Sequence, residues 1–219
     1  MKLKQLHRWD LSTAEAERIQ LSLSGEVVVD DEFATIETVC GLDVSYSGEE
    51  RAAAACVVMS YPELEIVESV CKISAVCYDY IPGLLSFREI PPLIPALEDL
   101  ASLPDLFICD GHGIAHPRRF GLACHLGVLL DRPVIGCAKS KFVGSFEKPG
   151  ERRGSYEYLY HKDDLVGAVL RTEENRKPVF VSIGHKVTLE TSIAVVLGCT
   201  GRGRIPEPVR QAHLTAGEE

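Results

Sequence analysis

Asp43 and Asp110 each sit at the end of an apolar, strand-like run, Val39-Cys40-Gly41-Leu42-Asp43-Val44 and Leu106-Phe107-Ile108-Cys109-Asp110-Gly111. Taking an ionised carboxylate out of water costs several kcal/mol unless a partner compensates it. One strand-end aspartate is ordinarily a turn or cap residue. Two of them, with Glu89 between them in the chain, point to a divalent cation that does chemistry.

The elements that must bring these acids together can be read from pattern. Ser12-Thr13-Ala14-Glu15 has the form of a capping box and predicts a helix over 12–23. Strands are expected at 38–46, 51–61 and 65–77. Short turns at 47–50 and 62–64 make them an antiparallel meander. Residues 86–102 read as a helix that Pro91, Pro92 and Pro95 force to begin late or to kink. A strand at 105–110, a helix at 119–130 and a strand at 134–139 form a β-α-β unit. Further strands are expected at 156–161, 165–170 and 179–183, and helices at 188–197 and 207–214. Three antiparallel strands feeding a parallel pair, with acids on the first and fourth strands, is the ribonuclease H-like arrangement. The expectation is an α/β fold with a central mixed sheet of the five-stranded type, flanked by helices, as one domain over 1–219.

Composition narrows the class. At 219 residues and 46% hydrophobic, the chain is long enough for one full core. It holds no run of roughly 18 uncharged apolar residues, so no transmembrane helix is expected. The amino terminus turns polar too soon for a secretion signal, so a soluble cytoplasmic protein is expected. None of the eight cysteines forms a C-x-x-C pair, so zinc-ribbon and thioredoxin-type readings lack support and buried thiols are expected. The formal net charge is −9, yet residues 111–155 carry Arg118, Arg119, Arg132, Lys139, Lys141, Lys148, Arg152 and Arg153 against Asp131, Glu147 and Glu151. Such asymmetry can steer a polyanion to one face.

Three longer motifs, Tyr80-Ile81-Pro82-Gly83-Leu84-Leu85-Ser86-Phe87-Arg88-Glu89, Asp110-Gly111-His112-Gly113 and Ala115-His116-Pro117-Arg118-Arg119-Phe120-Gly121-Leu122-Ala123, closely resemble endonuclease V. Gly41-Leu42-Asp43, Gly136-Cys137-Ala138-Lys139 and Arg204-Ile205-Pro206-Glu207-Pro208 through His213 extend the resemblance over 41–213 in the right order. It implies a metal-dependent nuclease of ribonuclease H-like fold that cleaves at the second phosphodiester bond 3′ to deoxyinosine. It implies Asp43, Glu89 and Asp110 as the metal-binding acids, with Lys139 and His213 completing the catalytic set. The donors suit Mg²⁺, with Mn²⁺ as the alternative. One departure is visible: Asp79 stands where the family's wedge commonly has proline, which implies a less rigid loop.

Lesion selection needs a second device. Tyr80, Ile81 and Pro82 on an exposed turn can wedge between bases while the displaced nucleotide enters a pocket. Gly83, Gly111, Gly113 and Gly121 would let backbone approach hypoxanthine, with Leu85 and Leu122 lining the same pocket. His116 is placed to meet a phosphate or to support the acids, and Arg118 and Arg119 to extend a track for the DNA backbone. The expected partner is DNA containing deoxyinosine, bound by a monomer. Rival readings are a related nuclease acting on inosine-containing RNA or on flaps and mismatches, a binding module that does not cut, and a sugar-phosphate enzyme of related fold. Clustered acids speak against the second, and an exposed Tyr80-Ile81-Pro82 loop against the third.

Overall fold

A computed structural model describes every residue except Glu49, Arg202 and Glu219. Among the described residues eight strands form one mixed sheet: β1 (Thr38–Ser47), β2 (Arg51–Ser60), β3 (Ile66–Ala75), β4 (Leu106–Cys109), β5 (Val134–Ala138), β6 (Tyr156–His161), β7 (Asp164–Leu170) and β8 (Val179–His185). Their order is β3-β2-β1-β4-β5-β8-β7-β6. The first five positions are the expected three-strand antiparallel meander joined to the parallel strands β4 and β5. β8, β7 and β6 then extend the sheet with antiparallel pairings. Of the predicted turn at 47–50, Glu49 lies outside the described residues.

Among the described residues there are five α-helices, α1 (Thr13–Leu23), α2 (Leu85–Asp99), α3 (Leu122–Leu130), α4 (Leu189–Gly198) and α5 (Glu207–Gly217), of which α2 to α5 pack on the sheet and α1 on α3. The capping box of α1 forms, with Ser12 and Glu15 serving each other's backbone N–H groups. Cys40, Leu42, Ala54 and Phe107 bury against α2 and α3 on one side of the sheet. Val39, Ile108, Cys137 and Val181 bury with Ile193, Val196 and Val209 of α4 and α5 on the other. Among the described residues no helix is long and apolar enough to cross a membrane. The cysteines stay as thiols, with no disulfide among the described residues.

Helix boundaries differ from expectation by up to three residues, and two of the starts bear on the site. α2 begins at Leu85, earlier than its prolines suggested, and carries all three of them inside. Phe87, Ile90, Leu93, Ala96 and Leu97 are all buried, and this helical spacing of apolar side chains outweighs the backbone bonds that proline removes. α3 begins at Leu122 rather than at 119, because Arg119 takes a left-handed φ of 55° that ends a tight turn.

Candidate active site

Strand register places the first two acids. Leu42 pairs with Cys109 in the parallel β1-β4 ladder, so Asp43 and Asp110 are the next residues on neighbouring strands. Asp43 shares the alternating face of Val39 and Gly41, the face over which α5 runs. A Cβ on Gly41 would lie 2.0 Å from the Pro208 carbonyl carbon. Only glycine therefore lets α5 cross β1 this closely. The crossing delivers His213, whose Nδ1 donates to Asp43 Oδ2 at 2.8 Å. Lys139, just beyond β5, donates through Nζ to Asp110 Oδ2. Glu89 enters from α2, on the opposite side of the sheet from α5.

These groups line one open cleft of about 530 Å³, together with Tyr46, Tyr80, Leu85 and Arg88. Burial pushes the Glu89 carboxyl well above the usual range, and the charges of Asp43 and Asp110 push the same way. Burial also raises Asp43, against the hydrogen bond from His213. Burial opposes the charge of Lys139, but the Asp110 carboxylate outweighs it and holds the ammonium on. The three acids thus repel one another across the cleft, as a pocket built for a cation would. The donors are all carboxylate oxygens, which suits a hard divalent ion rather than a softer one. Among the described residues no three histidine, cysteine or acidic side chains are already drawn round one point. Lys139 and His213 each hold one oxygen of their aspartate.

A second hollow, of about 340 Å³, opens beside the cleft and shares Tyr80, Leu85, Asp110 and Lys139 with it. Gly83, Gly111, Gly121 and Leu122 line this pocket while Gly113 is not among its walls, and Pro82, His116, Gln20 and Phe142 join them, the last two missed by sequence reasoning. Tyr80 is 66% exposed at the rim, whereas Ile81 turns inward to pack with Leu84 and Phe87. Only the tyrosine and Pro82 therefore project from the wedge loop. Across the mouth, the Phe142 ring stacks on His112 with centroids 6.0 Å apart and lies 5.4 Å from His116.

The glycines divide into two groups. Gly83 has φ +86°, a left-handed turn that favours glycine. The N–H groups of Gly111, Gly113 and Gly121 are committed within the protein, to Cys109 O, Ser182 Oγ and Gly113 O. A Cβ on Gly113 would sit 1.8 Å from Ile183 O, so its small size serves packing. Gly83 is therefore the one member of the set whose N–H stays outside these pairings.

His116 and Arg118 do different work from that expected. His116 is 3% exposed and donates from Nε2 to Gly83 O at 3.0 Å, while its Nδ1 accepts from the Arg118 backbone at 3.2 Å. Burial, then the nearby Arg118 charge, lowers its pKa to about 4, so the ring is neutral. The Arg118 guanidinium points inward to Gly83 O, Gln20 and Glu17 rather than outward along a DNA track. Arg119 is likewise held by His161 and Asp164. Gln20 carried no sequence signal, since a glutamine in a polar helix reads as solvated surface.

This chain matches the profile of the endonuclease V family over residues 21–214. It is 48% identical over 222 residues to endonuclease V of Dehalococcoides mccartyi, covering 100% of this chain and 98% of that protein. It superposes with a TM-score of 0.91 on endonuclease V of Streptomyces avermitilis, at 44% identity, covering 96% of this chain and 93% of the other. Endonuclease V of Ciona intestinalis, solved in complex with a 24mer DNA containing an inosine followed by a ribo-adenosine, aligns with a TM-score of 0.83 at 31% identity, covering 94% and 96%. With the motif order, the ribonuclease H-like sheet and the acidic cleft all in agreement, the chain belongs to the endonuclease V family of nucleases.

Proposed function

We propose that this protein is a DNA repair endonuclease that recognises deoxyinosine and hydrolyses the second phosphodiester bond on its 3′ side. The products are a 3′-hydroxyl and a 5′-phosphate. The observation that carries this reading is the junction of a base-sized pocket and an acidic cleft through Asp110 and Lys139. A base lodged in the pocket leaves its own strand lying across the acids.

Asp43, Glu89 and Asp110 would hold a Mg²⁺ or Mn²⁺ ion, which supplies positive charge at the phosphate and lowers the pKa of water. The protein's side chains do the rest. Lys139, kept protonated by Asp110, presents an ammonium toward a phosphate oxygen. His213, held by Asp43, stands at the exposed lip of the cleft within reach of water. Tyr80 fills the gap left by the extruded nucleotide, and a weakly paired inosine costs less to unstack than a normal base. A backbone N–H at Gly83 can donate to the hypoxanthine carbonyl and meets only an amino group on adenine.

The Ciona relative's inosine is followed by a ribonucleotide, which favours a second reading in which inosine-containing RNA or a mixed strand is cut. The test is a nicking assay on labelled duplexes with and without inosine, each as DNA and with a ribonucleotide 3′ to the lesion, in Mg²⁺ and in EDTA. Cleavage confined to inosine strands in Mg²⁺ is expected. Equal cutting of adenine controls, or cutting in EDTA, would overturn the proposal, and the ribonucleotide arms decide between the two readings.

A further inference from the structure

The basic stretch noted in the sequence is not used up by the cleft. A third hollow, of about 580 Å³, begins at Lys139 and Ser140, where the lesion pocket ends, and continues past Lys148, Arg176 and Lys177 to Phe146 and Phe180. Its walls are built rather than loose. Arg171, 5% exposed, donates to Pro149 O at 3.3 Å, to Gly150 O at 3.0 Å and to Arg176 O, tying both sides together. The Asn175 backbone closes on Glu151 O at 3.2 Å. Lys148 and Arg176 are exposed and pair with surface acids, at 3.7 Å to Glu151 and 3.5 Å to Glu173. Such pairs contribute little and exchange readily for phosphate. The Phe146 ring, 36% exposed, stands 5.6 Å from Phe180 at 74°, and Lys141 Nζ lies over it 6.0 Å from the centroid.

Sheet order gives this groove a direction. The acidic cleft lies over the ends of β1 and β4, the lesion pocket over β4 and β5, and the groove over β8 and β7, where Ala138 pairs with Phe180 and Phe180 with Val169. We propose that the groove lined by Lys148, Arg176, Lys177 and Phe146 binds the substrate strand on the 5′ side of the lesion. The polarity rests on the proposed cleavage 3′ to inosine: the strand then leaves the pocket toward β1 in its 3′ direction, so its 5′ arm runs the other way, over β8 and β7. The cations neutralise phosphates without reading sequence, and Phe146 supplies a face on which a base can stack.

The experiment pairs the wild type with the double variant Lys148→Glu/Lys177→Glu, both changes on exposed side chains. Substrates are single-stranded inosine oligonucleotides with long flanks on both sides, with the 5′ flank clipped, or with the 3′ flank clipped. On the long substrate the variant is expected to raise KM about tenfold and to reduce the slope of log K against log salt by about 1.4, two lost contacts at about 0.7 each. On the 5′-clipped substrate the two proteins should be equal. An equal loss on the 5′-clipped strand, or a difference that vanishes only on 3′ clipping, overturns the proposal. Wild-type protein that ignores inosine altogether sinks the parent reading, and the polarity with it, and is recognised by an unmodified control cut equally well.

Discussion

The buried side-chain amide of Gln20 donates to the carbonyl oxygen of Gly83 at 2.9 Å, across 63 residues of sequence. The same oxygen takes bonds from His116 Nε2 and Arg118 Nη2, both at 3.0 Å, and Gln20 also holds Arg118 Nε at 2.6 Å. Helix α1 is thus a strut behind the turn that carries Tyr80. It fixes the Gly83–Leu84 peptide, and so steadies the turn in which the neighbouring Gly83 N–H, assigned to reading the base, sits.

Replacing Gln20 by Leu should therefore loosen recognition more than chemistry. The carbonyl keeps two donors, but Arg118 loses its shortest bond and a side chain that is 1% exposed loses its polar partners. A stability loss of about 1–2 kcal/mol in urea melts is expected. KM for inosine DNA should rise severalfold with kcat nearly unchanged, and the preference over adenine should fall. A kcat loss with KM and preference intact would place Gln20 outside recognition.

Gly41 is argued on packing alone. With Pro208 and Val209 backbone atoms 2.0–2.4 Å from the point a side-chain methyl would occupy, Gly41→Ala must push α5 away from β1. Overpacking of this kind costs about 1–3 kcal/mol. It should also draw His213 off Asp43, so that the losses in cleavage from Gly41→Ala and His213→Ala overlap rather than multiply. A double-mutant cycle on cleavage rate measures this, and strict additivity would show that the glycine acts elsewhere.

How far the sequence revealed this site follows from where its signals lie. Asp43 and Asp110 were legible because each interrupts a hydrophobic strand, where an acid is costly and therefore informative. The β1-β2-β3 meander and the β4-α3-β5 crossover followed from turn residues and apolar runs of ordinary length. Gln20 and Arg118 were not legible. In the chain they look like solvated surface, and only the turn 116–119, set by the left-handed Arg119, folds the guanidinium inward. Phe142 was missed for a related reason: on its own it is an exposed loop aromatic, and it gains meaning only once His112 and His116 are seen beneath it.

His116 gives the fold a pH dependence of definite sign. Its pKa falls from an ordinary 6.5 to about 4 through burial and the Arg118 charge. Between those values the unfolded chain binds a proton that the folded chain refuses, so stability decreases as pH falls from about 6.5 toward 4 and is level below. At 1.36 kcal/mol per pKa unit, the contribution is about 3 kcal/mol across the window. Buried His125 and His185 act in the same direction. The comparison that isolates His116 is His116→Gln, whose amide can still donate to Gly83 O. Denaturant melts from pH 7 to pH 4 should show a shallower fall for the variant. Parallel curves would mean that His116 is protonated in the folded state.

Glu89 separates stability from activity. Its carboxyl is pushed well up by burial, with Asp43 and Asp110 adding repulsion, so without a cation it costs the fold stability at pH above the ordinary carboxyl range. The sign is that of a raised carboxyl: the folded state takes up the proton first as pH falls, so the penalty grows as pH rises above the ordinary carboxyl pKa and is complete above the folded one. Glu89→Gln removes the charge and should raise Tm in EDTA at pH 7. The same change removes one of the three acids assigned to the ion, so cleavage in Mg²⁺ should fall by about 10²–10³-fold, the scale of losing one electrostatic stabiliser. Added Mg²⁺ should raise the wild-type Tm by mass action and leave the variant nearly still. Thermal melts with and without Mg²⁺, beside a nicking assay, test all three statements. A variant that melts lower in EDTA yet responds to Mg²⁺ like wild type would show that Glu89 is a packing residue and that the ion is held without it.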